Sequence, residues 1–145
     1  MTSLGEKILK GFSVVCAAVV VLSAPVSSMA ANKTIYIAKL GDYSKYTKVR
    51  AARSGKYDYV RAICHSVWSN EHPEFTDDFK KIRVRIKRHS NGTEMSRETI
   101  LEEGKSASNI DIVPSMRNIR DVDFVFYGNS SKYPAQANVG YNPKW

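Results

Sequence analysis

The chain has 145 residues, two cysteines and a formal net charge of +8, with 43% hydrophobic and 25% charged residues. That balance excludes both a disordered polyelectrolyte and a multi-span membrane protein, and the length suits one domain with one modest core. The basic excess predicts loose attraction to anionic material rather than any particular fold.

Residues 1–30 read as an address rather than as structure. Lys7 and Lys10 give a cationic start, Phe12 to Ala24 is apolar, Pro25 breaks the run, and Ser28-Met29-Ala30 ends in small residues. This three-part pattern predicts a secretory signal peptide cut between Ala30 and Ala31. The apolar run falls short of the ~20 residues a membrane span needs. Cys16 follows Val14 and Val15, where a lipid-attachment site would want small residues. The expectation is a secreted, extracellular domain over residues 31–145, with no transmembrane segment after cleavage. Loss of Glu6, Lys7 and Lys10 takes the net charge from +8 to +7. Cys64 is then the sole cysteine, so no internal disulfide can form and the core must carry the fold, which suits a bacterial exported protein.

In chain order, Thr34 to Leu40 reads as a first strand closed by Gly41-Asp42. Asp42 to Lys48 is polar and tyrosine-bearing, and Tyr46 to Ala52 is either an exposed connection or a ragged edge strand. Tyr57 to Trp68 is the longest candidate, with Val60, Ala62, Cys64, Ser66 and Trp68 assigned to the core and Tyr57, Tyr59, Arg61, Ile63, His65 and Val67 to the wet side. Ser69 to Asp78 reads as a loop. Phe79 to Arg88 is the best-written strand: Ile82, Val84 and Ile86 alternate with Arg83, Arg85 and Lys87, so one face is apolar and the other cationic. Asn91-Gly92 predicts a tight hairpin in which both residues take positive φ, returning Thr93 to Leu101 antiparallel with Glu94, Glu98 and Glu102 over the basic face. Residues 96–104 also suit a short helix ended by Gly104. Ser108 to Val113, Arg120 to Tyr127 and Ala135 to Tyr141 complete the set. About seven short strands with turns between them predict an all-β, antiparallel β-sandwich, with a small open β-barrel as the alternative. Its core is expected to hold Val60, Trp68, Ile82, Val84, Ile86, Val122, Phe124 and Phe126.

The basic face, Lys81, Arg83, Arg85 and Lys87, has two readings. Arginine's planar fork suits phosphate or carboxylate, which makes the face a candidate anion-binding surface. Against that, cross-strand pairing with Glu98, Asp121 or Asp123 would make it an ordinary solvated face. Tyr57 and Tyr59 join these four as candidate ligand-binding residues, since tyrosine is amphipathic and often lines sugar-binding surfaces. Cys64 and His65 are adjacent on a strand and point apart, so they make no nucleophile–base pair. No motif with metal-ligand spacing, no catalytic motif and no cofactor-binding motif occurs among His65, His72, His89 and their neighbours. The resulting expectation is a non-enzymatic secreted protein binding an anionic polymer or polysaccharide of the cell envelope, with no specific nucleic-acid partner. The alternatives are a bacteriocin-like toxin or antimicrobial and, less favoured, a secreted nuclease or hydrolase. In general plan the chain resembles secreted bacterial β-sandwich proteins, bacteriocins of the lactococcin type among them, by architecture and through no shared motif.

Overall fold

The alternation along Lys81–Arg88 sets the architecture: Ile82, Val84 and Ile86 are wholly buried, while the basic residues between them stay partly or fully exposed. The computed structural model describes residues 31–74 and 80–143. The expected signal peptide, Phe79 and part of the loop before β4 lie outside the described residues. Eight strands follow in order: β1 (Ala31–Ile37), β2 (Thr47–Ala52), β3 (Tyr59–Trp68), β4 (Lys81–Arg88), β5 (Thr99–Glu102), β6 (Ser108–Asp111), β7 (Asp121–Gly128) and β8 (Ala135–Asn142). The strand beyond the expected seven is β2, the segment whose polar, tyrosine-bearing approach blurs its alternation. Two single-turn helices, Tyr43–Lys45 and Pro114–Met116, are the helical elements among the described residues. None of these is long and apolar enough to cross a membrane.

The strands form two four-stranded antiparallel sheets, β1-β8-β3-β6 and β2-β7-β4-β5. The sheets keep separate edges and do not close, so the architecture is sandwich-like and the barrel alternative does not apply. Inner-face residues of both sheets make one core: Ile35, Ile37, Val60, Ala62, Ala137 and Val139 from the first meet Ile82, Val84, Ile86, Val122, Phe124 and Phe126 from the second. Each large apolar side chain buried there contributes about 1.5–3 kcal/mol before chain entropy is subtracted. Gly128 is required where the sheets draw together: its N–H donates to Ala38 O at 2.8 Å, and a Cβ would stand 2.9 Å from that oxygen.

Two bulges change what the period-2 pattern foretold. In β3 the pairing with β8 shifts between Cys64 and Ser66, leaving His65 unpaired. One extra residue inverts the faces beyond it. Val67 therefore packs against the core, and Trp68, expected inside, stands half-buried on the outer face beside Gln136. The second bulge follows the Asn91-Gly92 turn. Lys87 pairs Glu94, yet Val84 pairs Thr99, so Ser96, Arg97 and Glu98 loop out of the ladder. The segment is strand, not helix. The turn itself is a four-residue loop in which Gly92 alone has positive φ (+71°), its N–H donating to Arg88 O at 2.8 Å. Asn91 does not take positive φ; its Oδ1 instead accepts from the Thr93 N–H.

At one end of the sandwich Arg53 is 3% exposed and donates to three main-chain carbonyls, of Arg117 (2.8 Å), Ile119 (3.2 Å) and Tyr57 (2.7 Å). Burial, with the nearby charge of Arg120, lowers its pKa from the ordinary guanidinium value. This staple fixes residues 117–119 against the turn before β3.

Candidate functional site

The two sheets expose chemically different outer faces. On β2-β7-β4-β5 the expected basic residues meet carboxylates. Glu98, in the looped-out stretch and on the same side as Glu94, takes hydrogen bonds from Arg83, from the Tyr127 hydroxyl and from Arg85 Nη2, the last at 3.1 Å. Arg85 also pairs Glu94 at 2.6 Å and donates through Nε to Tyr127 Oη at 2.8 Å, while Arg83 Nε donates to Asn129 Oδ1 at 2.9 Å. Tyr127 lies under this network and under Tyr46, whose ring stacks on it at 4.3 Å, so only 1% of it is exposed. Burial, reinforced by the hydrogen bond to Glu98, pushes the Tyr127 hydroxyl pKa well up. For Glu98, burial opposes ionisation, but the hydrogen bonds from Tyr127 and Arg85 and the charge of Arg83 overcome it and hold the carboxyl below its usual range. Further out, Arg50 forms a bidentate pair with Asp121 (2.9 and 2.8 Å), and His89 Nδ1 lies 2.8 Å from Asp123. Lys81 and Lys87 lie opposite Glu102 and Asp123 in the ladders.

The other outer face, on β1-β8-β3-β6, is mostly amides, hydroxyls and rings, with Arg61 and Asp111 charged at its β6 end. Register places three side chains abreast, Tyr36 on β1, Gln136 on β8 and Trp68 on β3. The next row is Thr34, Asn138 and Ser66, and the next Asn32, Gly140 and Ile63. With strands ~4.8 Å apart, the rings of Tyr36 and Trp68 flank Gln136 across a span of roughly 10 Å. Tyr36 is 46% exposed, unusual for so large a ring in this chain. Asn70 donates to Gln136 Oε1 at 3.0 Å, and a hollow of about 90 Å³ lies between Tyr36, Asn70, Glu71 and Gln136. Asn138 Oδ1 is buried with no hydrogen-bond partner among the described residues. Most such atoms in folded proteins are partnered, so this acceptor is an unsatisfied group beneath a polar face.

Of the residues singled out from sequence, Lys81, Arg83, Arg85 and Lys87 share the first face. Tyr57 and Tyr59 do not join them: they stack on each other at 5.4 Å beside and on β3, whose outer surface is the opposite side of the sandwich. Trp68, expected in the core, stands on this outer face beside Tyr36 and Gln136. The outward set Gln136, Asn138 and Gly140 was legible in the alternation of β8, but the β3 bulge hid the turn of Trp68 toward it. Cys64 is 1% exposed in the core, and burial, with the charge of Glu103, pushes its thiol up to about 12, so it is a packing residue and no nucleophile. Comparison with protein-family models, with curated proteins and with solved structures finds no match to the chain.

Proposed function

We propose that the protein is a small, secreted, non-enzymatic binder of carbohydrate at the cell envelope or in the surrounding medium, and that it holds the glycan on the outer face of β1-β8-β3-β6. The observation that carries this reading is the row Tyr36–Gln136–Trp68, with the unpartnered Asn138 oxygen one row away. A sugar ring presents an apolar C–H surface edged by hydroxyls that both donate and accept. Exposed aromatic rings suit the first, and side-chain amides, with donor and acceptor together, suit the second. An anionic polymer gripped by Lys81, Arg83, Arg85 and Lys87 is less favoured, because Arg83 and Arg85 already spend their donors on Glu98, Glu94, Asn129 and Tyr127. The basic excess then supplies diffuse, salt-sensitive attraction to an anionic envelope rather than a site.

Purified protein screened against neutral and N-acetylated oligosaccharides, with isothermal titration calorimetry as readout, tests the reading. Trp68→Ala should weaken binding at least about tenfold, the scale of losing one stacked ring, and Lys87→Gln should leave it unchanged. Binding indifferent to Trp68→Ala and Tyr36→Ala, or abolished by moderate salt, would overturn it.

A further inference from the structure

The sandwich has a second place where polar side chains lack partners, at the edge where β5 and β6 lie over one another. A groove of about 420 Å³ opens there, floored by Ile112, Val113 and Pro114. That volume falls within the ~300–1,000 Å³ of small-molecule sites. Its far end is closed where the Val113 N–H donates to Met95 O at 2.8 Å, joining the two sheets. Thr99 walls it from β5, Asn109 and Asp111 from β6, and Arg97 and Arg117 complete the lining.

The state of these side chains is what distinguishes the groove. Arg117 is held in place: Nη1 is 3.1 Å from Asp58, Nε donates to Ile112 O at 3.2 Å, and its main chain is gripped by Arg53. Arg97, Thr99, Asn109 and Asp111 have no side-chain hydrogen bond or ion pair among the described residues. This contrasts with the outer face of β4, where the arginines are paired. Arg97 lies in the stretch Ser96–Glu98 that loops out of the ladder, next to Glu98 of the ionic face and itself at the groove.

We propose that this groove binds a small hydroxylated carboxylate of the sugar-acid class, a uronic acid in its simplest form. The Arg97 guanidinium receives the carboxylate, the pairing whose planar geometry arginine matches best, and Arg117, partly committed to Asp58 and Ile112 O, adds its charge beside it. Asp111 decides between anions. A phosphate dianion would meet its charge, whereas a singly charged ligand whose other end carries hydroxyls supplies donors to it. Thr99 and Asn109 complete the hydroxyl contacts. Tyr59, stacked on Tyr57, is the register neighbour of Asp111 and does not line the groove. This site is separate from the Tyr36–Gln136–Trp68 row and stands without it.

Nuclear magnetic resonance titration of the ¹⁵N-labelled full chain with D-glucuronate tests the assignment, with D-glucose and acetate in parallel. Glucuronate should shift amides in residues 97–99 and 109–113, glucose should not, and acetate should do so far more weakly. Arg97→Gln, an exposed change that spares the core, should weaken glucuronate binding at least about tenfold, the scale of one charge-assisted hydrogen bond. Thr99→Val should weaken it less, and Trp68→Ala not at all. A uronic-acid oligomer separates the two sources of such a group: tighter binding than the monomer assigns a polymer, equal binding a free sugar acid. No shifts at tens of millimolar, shifts confined to the Arg85 face, or an unchanged Arg97→Gln variant would overturn the proposal.

Discussion

The outer faces of the sandwich arise from the same alternation and end in opposite states. On β2-β7-β4-β5 the outward residues are charged, and Arg83, Arg85, Arg50 and Asp121 are consumed in pairs within the face. On β1-β8-β3-β6 they are mostly amides, hydroxyls and rings, with Arg61 and Asp111 only at the β6 end, and an acceptor is left without a partner. The face that a charge count selects is thus the self-satisfied one. Charge density marks where a fold must neutralise itself, whereas unspent hydrogen-bonding capacity marks where it can take something else. Stability and binding should therefore respond to different faces.

The largest effect is expected at Glu98. Glu98→Ala strips one carboxylate from three partly buried donors, on Arg83, Arg85 and Tyr127. Breaking such a network costs more than its pairs contribute, because the remaining groups stay desolvated. A loss of about 2 kcal/mol is expected, read as a lower urea midpoint with unchanged slope. Trp68→Ala, half-buried on the other face, should cost under about 1 kcal/mol. If Trp68→Ala proved the more destabilising of the two, the division of labour between the faces would fail.

Acid sharpens the same contrast. The folded pKa of Glu98 is lowered, so the unfolded chain binds its proton more readily. The stabilisation this carboxylate gives is therefore present above its unfolded pKa of ~4.3 and is lost as pH falls through the lower folded value. Denaturation midpoints taken from neutral pH downward should decline below about pH 4–5, and Glu98→Gln should flatten part of that decline. Tyr36, Gln136 and Trp68 themselves carry no carboxylate, although Glu71 lines the hollow beside them, so the binding proposed for that row should track acid far less than stability does. A wild-type and a Glu98→Gln profile that run parallel would remove Glu98 from the account.

What the sequence revealed follows from what a two-residue period can carry. The pattern at Ile82, Val84 and Ile86 and at Val122, Phe124 and Phe126 was enough to place both central strands and their inward sides, because apolar burial alone enforces it. The carboxylates Glu94 and Glu98 were expected over the basic face, and there they are. A one-residue bulge, by contrast, has no signature in alternation: it silently inverts everything beyond. The one at His65 moved Trp68 out and Val67 in. The looped-out stretch at Ser96–Glu98 adds two residues, so it keeps the parity, and Glu98 lies where alternation from Glu94 puts it. The row through Trp68 therefore depends on an insertion that the pattern could not show. Tyr57 and Tyr59 were read correctly as neighbours but joined to the wrong sheet, since strand order between sheets comes from long-range pairing that local patterns do not encode.

The smallest stability effect belongs to the residue that tests the comparison most closely. Asn138 sits mid-face between Thr34 and Ser66, with Oδ1 already removed from water and unpartnered. In a residue kept only for structure, such an atom is pure cost, so Asn138→Ala should change the urea midpoint by less than about 0.5 kcal/mol in either direction, despite the lost packing. Asn138→Asp should be clearly worse, because it puts a charge where no counter-ion stands. If the partly exposed remainder of the Asn138 side chain shapes the surface beside the row, Asn138→Ala should nonetheless weaken glycan binding several-fold. A variant that is destabilised as strongly as Glu98→Ala would mean that the amide has a structural partner, and the two faces would then be satisfied alike.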